Sequence, residues 1–176
     1  APYCPMVHRD VDPTNGLSDS TGMAKLADFG SSRQLSEEGV TEEGRVVGTT
    51  DYVAPEQAMG KEVDPRSDIY SLGVVLFEMF TGDVPFEAEN QIGVAMKHVN
   101  EELPDVQMIR PDLSAASALV VEKSTTKNPE DRYETIEDMI LDLQAAREVE
   151  AIRAGGTSGE ATSGLQAVPE PRRQRQ

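Results

Sequence analysis

The sequence has no tryptophan and only one cysteine, Cys4. A single cysteine cannot form an internal disulfide, which favours a reducing compartment, so we expect a cytoplasmic location. Cys4 lies between Pro2 and Pro5, in an end of the chain that we expect to be disordered. It is therefore a poor candidate for a catalytic nucleophile.

Long apolar runs and an excess of positive charge are also missing. The longest apolar stretch, Leu72 to Phe77, is followed by Glu78 and is far shorter than the ~20 residues of a membrane-spanning helix. It predicts a buried helix of a soluble domain. The chain has 16 Lys and Arg residues against 32 Asp and Glu, a formal net charge of -16. This balance argues against nucleic acid or an anionic membrane as a partner.

The length of 176 residues suggests about one domain, because domains typically run ~100–200 residues. We divide the chain into a lead-in broken by prolines (1–7), a folded domain (8–150) and a tail (151–176). We expect the tail to be disordered, since Gly, Ser, Thr, Pro and Arg dominate from Gly155 onward. Residues 31–50 predict a long surface loop, and Lys25 to Ala27 predict a strand.

Four segments predict helices from their apolar spacing and end signals. They run from Ser67 to Phe80 with Gly82 as the stop, from Glu87 to Val99, from Ser114 to Lys123, and from Thr135 to Val149. The first is apolar on almost every side, which predicts a central position, with Ser67 as its N-cap. The apolar stripes of the last two are Leu113, Ala116, Leu119 and Val120, and Ile136, Met139, Ile140, Leu143, Ala146 and Val149.

Three short motifs occur in a fixed order. They are His8-Arg9-Asp10 with Asn15 five residues on, Asp28-Phe29-Gly30, and Ala54-Pro55-Glu56. Each alone is weak, because tripeptides recur by chance. Together, in this order, they form the active-site half of a protein kinase signature.

The residue types in these motifs suit phosphoryl transfer, which needs an oriented acceptor hydroxyl and cations that neutralise phosphates. Asp10 is the candidate group to accept the hydroxyl proton. Asn15 and Asp28 offer an amide oxygen and a carboxylate, the hard ligands that Mg²⁺ prefers. Taken singly, Asp10 and Asp28 would be ordinary turn residues, and only the set favours a catalytic interpretation.

From Met6 to about Val149 the chain resembles the large lobe of a bacterial Ser/Thr protein kinase of the membrane-anchored, actinobacterial type. Residues 48–58 are similar to the family's substrate-binding loop, with Thr49 at the threonine typical of Ser/Thr kinases. Residues 66–73 resemble the central-helix motif, which implies that Asp68 holds the catalytic loop through its backbone. Residues 128–133 resemble the motif whose arginine, here Arg132, pairs with the glutamate of Ala-Pro-Glu, here Glu56.

The resemblance implies a mainly α fold, a kinase C-lobe with short β segments around the catalytic loop and without an N-lobe. It implies a Ser/Thr kinase that transfers a phosphoryl group from ATP with Mg²⁺ to protein hydroxyls. Leu17 would then line the nucleotide site together with Asn15 and Asp28. The resemblance also implies the cytosolic part of a membrane-anchored protein, and a dimer formed through the N-lobe region.

Regulation by phosphorylation also follows from the resemblance. Arg9, beside Asp10, would pair with a phosphate on the loop and order it. Thr41 lies where the family usually carries the phosphorylated threonine. Three serines in the same loop are competing candidates: Ser31, Ser32 and Ser36.

The chain departs from the family at Asp12, where a lysine normally steadies the γ-phosphate. We expect this carboxylate to face the cleft and repel phosphates, so that Asp12→Lys would speed transfer ~100- to 1000-fold with little effect on the fold. A Gly-rich loop and a strand lysine that hold ATP would lie upstream of His8, where only seven residues stand. We therefore expect little activity from the chain alone. Two alternatives remain, a catalytically dead kinase-like module that binds proteins and a degraded gene product.

Overall fold

The computed structural model describes residues 6–18, 20–28 and 50–155, and within these ranges the protein is mainly helical, as predicted. A 3-10 turn (Pro13–Asn15) leads into an antiparallel pair of strands, β1 (Gly16–Ser18) and β2 (Ala24–Leu26). Six helices follow in the described part, with a second 3-10 turn (Pro129–Asp131) before the last. They are α1 (Pro55–Ala58), α2 (Pro65–Thr81), α3 (Gln91–Asn100), α4 (Val106–Ile109), α5 (Ala115–Ser124) and α6 (Ile136–Arg153).

Helix α2 begins one turn earlier than predicted. Asp64 is its N-cap, and the Asp64 carboxylate accepts a hydrogen bond from the Arg66 amide at 2.7 Å. Pro65 occupies the first helical position, where its missing N–H costs nothing and its fixed φ suits the helix. Ser67, the predicted N-cap, is instead fully buried inside the helix. The helix ends where predicted, because Gly82 adopts the left-handed conformation (φ 92°) that favours glycine.

The central position predicted for α2 is confirmed, because this helix contributes to all three apolar clusters. On one side Ile69 packs with Val120, Tyr133 and residues of α6. On the others Phe77 packs with Val106 at the start of α4 and with Val121 of α5, and Tyr70 packs with Val74 and Ala54. Burying each large apolar side chain contributes roughly 1.5–3 kcal/mol, so α2 is the element to which the rest of the fold attaches.

Helices α2 and α5 approach closely at Gly73. A Cβ atom at this position would overlap the side chains of Ser124 and Thr125. Glycine in the middle of a helix normally costs about 0.5–1 kcal/mol relative to alanine. Here the close packing of the two helices requires it.

The other predicted helices are present, with adjusted bounds. Helix α3 starts after Asn90 rather than at Glu87, because the Asn90 side chain accepts the Gly93 amide and caps it there. Ser114 caps α5, and Thr135 with Asp138 forms a capping box at α6. Helix α6 continues through Arg153, into the first residues of the segment predicted as a tail. Residues 156–176 lie outside the described ranges.

The apolar stripes predicted for α5 and α6 were drawn too wide. Met139 and Ala146 are buried and Leu143 packs against them, so the contact face follows their spacing. The stripe members Leu119, Ile136, Ile140 and Val149 are exposed. Only the half of the α6 stripe that points at α2 and α5 is covered by the described residues. In those residues no helix has both the length and the apolar character to cross a bilayer.

A buried ion pair joins α1 to the segment before α6. The Arg132 guanidinium donates to both carboxylate oxygens of Glu56, at 2.7 and 2.8 Å, and the Ser67 hydroxyl donates to the same carboxylate. Both charged residues are about 95% buried, with 5% and 4% of their surfaces exposed. The other N–H groups of Arg132 donate to the backbone carbonyls of Arg66, Thr126 and Lys127. The ion pair expected from the sequence is therefore present, with its polar groups satisfied.

Removing one member of this pair should destabilise the fold strongly. Glu56→Ala or Arg132→Ala leaves the other charge buried and unpaired, which typically costs ~3–5 kcal/mol. Glu130→Ala is the matched control, because Glu130 is exposed on the neighbouring 3-10 turn. Thermal unfolding followed by circular dichroism should show a large fall in the midpoint for the first two variants only. Equal small shifts for all three would refute a stabilising role for the pair.

The contribution of Glu56 to the unfolding free energy should also depend on pH. Burial, the largest influence, favours the neutral acid, but hydrogen bonds from Arg132 and Ser67 outweigh it and hold the pKa of Glu56 below its ordinary value of 4.5. A depressed pKa stabilises the fold above the unfolded value and stops doing so as pH falls through the folded value. The unfolding free energy of the wild type should therefore exceed that of Glu56→Gln at about pH 7 and approach it at about pH 3, in urea titrations. A difference that does not change with pH would contradict this coupling.

Candidate active site

The segment 8–15, which carries the His8-Arg9-Asp10 motif and Asn15, is held on α2 by Asp68. The Asp68 carboxylate accepts hydrogen bonds from the backbone amides of His8, at 2.7 Å, and of Arg9, at 2.8 Å. These are the contacts that the resemblance implied for Asp68. Burial raises the pKa of Asp68 above its ordinary value, although the two amides oppose that shift. The contact fixes the backbone just before Asp10.

Arg9 adopts an unusual backbone conformation, with φ 69°, in the left-handed region. Such a conformation costs of order 1–3 kcal/mol for a residue other than glycine and persists only where surrounding contacts impose it. Both backbone polar groups of Arg9 are bound. Its N–H donates to Asp68, and its C=O accepts from the Gln57 side chain at 2.8 Å.

The sequence analysis missed Gln57. Its side-chain oxygen accepts the Ala54 amide at 3.2 Å, while its nitrogen donates to Arg9. Gln57 thus connects the start of α1 to the loop that carries Asp10. A signal for it existed, because a glutamine three residues after the N-cap residue of a helix, here Ala54, has the spacing of a capping box.

Asp10 and Asn15 contact each other directly. The Asn15 amide nitrogen donates to the backbone carbonyl of Asp10 at 2.9 Å and to its carboxylate at 3.0 Å. Because the nitrogen side of the amide faces Asp10, the amide oxygen lies on the opposite side of the group. That oxygen is a hard donor of the kind that binds Mg²⁺.

The strand pair places the backbone of Asp28 close to Asn15. Gly16 pairs with Leu26, and the amide of Ala27 donates to the Asn15 carbonyl at 2.8 Å. The His8 ring contacts the Ala27 carbonyl at 2.9 Å and holds this end of β2 against the loop. Asp28 follows immediately, with φ 61°. The structure therefore brings Asp10, Asn15 and Asp28 to one end of the strand pair.

The donors at this end fit a cation that is shared with phosphates. Among the described residues there is no cluster of three or more His, Cys, Asp or Glu side chains arranged to hold a metal ion. Mg²⁺ usually keeps several waters and takes only one or two carboxylates, together with substrate phosphates. The amide oxygen of Asn15 and the carboxylate of Asp28 meet that requirement.

Asp12 does not face the cleft as expected. Its carboxylate accepts hydrogen bonds from the amides of Thr14, at 2.7 Å, and Asn15, at 3.0 Å, and the residue is only 9% exposed. The side chain is turned onto its own loop, as the N-cap of the 3-10 turn. The expectation that the Asp12 carboxylate faces the cleft is therefore wrong, and the faster transfer and intact fold expected for Asp12→Lys lose their geometric basis.

A buried histidine supports the predicted substrate-binding loop, residues 48–58, at Asp51. Burial lowers the pKa of His98 to about 4, so its ring is neutral near pH 7. Its Nε2 donates to the Asp51 carbonyl at 2.9 Å, and its Nδ1 accepts from the Tyr70 hydroxyl at 2.9 Å. The Lys127 ammonium in turn donates to that hydroxyl at 3.3 Å. His98 could not be identified from the sequence, because an isolated histidine in a helix has no motif around it.

Several predicted residues fall outside the described part of the chain. These are Cys4, Phe29, Gly30, Ser31, Ser32, Ser36, Thr41 and Thr49, together with the side chain of Leu17. The neighbouring Thr50 is described, and its hydroxyl donates to the Gln91 carbonyl at the start of α3, at 3.1 Å.

Comparison with known proteins points to one family. Residues 4–145 match the model of the protein kinase domain. The chain is 44% identical over 140 residues to serine/threonine-protein kinase PknB of Mycobacterium tuberculosis and 41% identical over 141 residues to serine/threonine-protein kinase PrkC of Bacillus subtilis. It is 38% identical over 138 residues to the probable serine/threonine-protein kinase PknB of Lactococcus lactis.

These alignments cover 78% to 80% of the chain but 22% of each relative, so the chain spans about a fifth of the length of the curated relatives it matches. The match includes the loop, the strand pair and helices α1 to α5 described above. The chain belongs to the protein kinase family, in its bacterial branch.

Proposed function

We propose that this chain is the catalytic-loop half of a bacterial protein Ser/Thr kinase, with residues 8–150 as its C-lobe. The reaction is transfer of the γ-phosphoryl group of ATP to a serine or threonine hydroxyl of a protein. The observation that carries the proposal is the Asp10–Asn15 contact, which Asp68 holds in place and to which the strand pair adds Asp28. The single cysteine supports a cytoplasmic location.

Each residue of this group has a separate task. Asp10 orients the acceptor hydroxyl and takes its proton as the oxygen attacks phosphorus. Asn15, through its amide oxygen, and Asp28, through its carboxylate, would hold Mg²⁺, which would neutralise charge on the phosphates. Asp68 and Gln57 do not touch the substrate, but they fix the backbone on either side of Arg9.

The remaining assignments follow from the family likeness. Thr49 contacts the acceptor residue in the substrate loop, and Leu17 lines the adenine site. A phosphate on Thr41 would pair with Arg9, whose backbone is already held close to Asp10. Such a pair would couple loop phosphorylation to the geometry of the catalytic loop.

A second candidate function is a kinase-like module that binds proteins without catalysis. The observation in its favour is Asp12, which leaves no cation at the position where the family places a lysine. The two functions differ in one measurable property, which is phosphoryl transfer from a site that already binds nucleotide.

The 176-residue chain alone should transfer little or no phosphate. The Gly-rich loop and the strand lysine that grip ATP in kinases are not among its residues. Incubation with Mg²⁺, radiolabelled ATP and myelin basic protein should leave incorporation at background. Incorporation that disappears in Asp10→Asn would contradict this expectation.

A fusion tests the proposed function directly. A compatible kinase N-lobe with its lead-in helix, joined before Met6, should give phosphoserine and phosphothreonine in the acceptor protein. Asp10→Asn should reduce the rate by ~100-fold or more, because general base catalysis typically contributes 10²–10⁴-fold. Asp112→Asn is the control, since the Asp112 side chain is 74% exposed and far along the chain. A fusion that binds ATP but transfers nothing would favour the binding module.

Metal binding can be measured on the unmodified chain. Mn²⁺ should bind through Asn15 and Asp28, and its effect on the relaxation of water protons gives the affinity. Asp28→Asn should weaken binding at least roughly tenfold, because it replaces a carboxylate ligand with a neutral amide. Asp83→Asn, an exposed aspartate after α2, should leave the affinity unchanged. Equal affinities in all three proteins would rule out this metal site.

A further inference from the structure

The 3-10 turn Pro13–Asn15 is only three residues long, yet it carries Asn15. Its N-cap is Asp12, and one carboxylate oxygen, Oδ1, accepts three hydrogen bonds. The donors are the Thr14 amide, the Thr14 hydroxyl and the Asn15 amide. At the other end the Gly16 amide donates to the Pro13 carbonyl and closes the turn.

The turn depends on an acceptor at position 12. Pro13 has no N–H, so the first donors of the turn are the amides of Thr14 and Asn15. The Thr14 amide donates to the Asp12 carboxylate, whereas the Asn15 amide is shared between that carboxylate and the Asp12 backbone carbonyl, at 3.0 and 3.2 Å. Asp12 is 9% exposed, and leaving polar groups at such a site unpaired is costly. A lysine ammonium has three donors and no acceptor, so it could not replace the carboxylate here.

This 3-10 turn sets the direction of the Asn15 side chain. With its own amide bound by Asp12 and its carbonyl bound by the Ala27 amide, the Asn15 backbone is held from both sides. The side-chain nitrogen then reaches the carbonyl and carboxylate of Asp10 at 2.9 and 3.0 Å. The amide oxygen is left on the face away from Asp10.

We propose that Asp12 is a positioning residue for Asn15. It binds no phosphate; its carboxylate holds the turn so that the Asn15 nitrogen meets Asp10 and the Asn15 oxygen is presented to the metal. In this chain an acceptor that orders the loop has taken the place of the family's lysine. The orientation of Asn15 follows from the contacts alone, whereas the consequence for metal binding rests on the proposed function.

Four variants of the full chain separate this role from others. Asp12→Asn keeps the acceptor oxygen without the charge, and Asp12→Leu has a similar volume without an acceptor. Asp12→Lys introduces the residue typical of the family. Asp64→Leu is the matched control, because Asp64 is also an N-cap followed by a proline, at the start of α2.

Nuclear magnetic resonance provides a readout that does not require metal or activity. In the wild type and in Asp12→Asn, the amides of Thr14 and Asn15 should be protected from exchange, and the Asn15 side-chain signals should be displaced from unstructured values. In Asp12→Leu and Asp12→Lys, exchange should be roughly fivefold faster or more, which is the usual effect of losing an N-cap. The Asn15 side-chain signals should move to the values of an unstructured asparagine. Asp64→Leu should leave Asn15 unchanged.

Two outcomes would overturn the proposal. One is that Asn15 signals persist unchanged in Asp12→Leu. The other is that they are lost in Asp12→Asn, which would show that charge and not the acceptor matters; this variant keeps the test decisive if Asp12→Leu fails to fold.

Mn²⁺ affinity of the same proteins tests the functional consequence. Asp12→Leu should weaken binding about as much as Asn15→Ala does, at least roughly tenfold, while Asp12→Asn should stay near the wild type. Retained affinity in Asp12→Leu together with lost affinity in Asn15→Ala would refute the positioning role. A wild type that binds no Mn²⁺ would contradict the proposed kinase function instead, and the Asn15 signals would still decide the role of Asp12.

Discussion

The contact between the Asp68 carboxylate and the amides of His8 and Arg9 is the interaction on which the candidate site depends. Hydrogen bonds to a charged group are worth about 1.5–3 kcal/mol each, more than neutral ones. They attach an irregular loop to α2, which among the described helices is the one packed into all three apolar clusters. The loop therefore takes its position from the central helix of the fold. It can hold Arg9 in a left-handed conformation because Asp68 and Gln57 bind both of its backbone groups.

The segment from Thr50 to Ala58 is attached to the same helix by different chemistry. Glu56 reaches Arg132 and Ser67 in a buried ion pair, and the Asp51 carbonyl is bound by the neutral ring of His98. Buried polar groups of this kind add little net stability compared with apolar packing, but they are costly to break. Their effect is to fix one arrangement of the two loops around α2. Polar contacts thus hold both motif-bearing loops around α2, the helix at the centre of the apolar clusters.

Much of this fold could be predicted from the sequence because its helices carry explicit end signals. Thr135 with Asp138, and Ser114 ahead of α5, behave as their types predict. At α2 two candidate caps, Asp64 and Ser67, lie three residues apart, and the proline after Asp64 decided the start. The width of the α6 stripe could not be predicted, since it depends on which neighbours cover the helix.

The site was predictable where motifs exist and not where single side chains act through geometry. Asp10, Asn15 and Asp28 come together as the motifs suggest, but the capping-box spacing of Gln57 does not indicate its contact with Arg9, and His98 has no motif around it. Asp12 shows the limit most clearly. Its charge could be read from the sequence, but the direction of the carboxylate depends on Pro13 and on the donors of the turn. A comparison of residue types alone would assign it a repulsive role in the cleft.

The most direct test of this account is hydrogen exchange at the backbone amides of His8 and Arg9. In the wild type these amides should be protected, and in Asp68→Ala they should exchange about tenfold faster or more, as expected for the loss of hydrogen bonds to a charged acceptor. Amides in the middle of α2, such as that of Phe77, should keep their protection, which would show that the helix remains folded. Unchanged exchange at His8 and Arg9 in a folded Asp68→Ala variant would mean that α2 does not hold the catalytic loop.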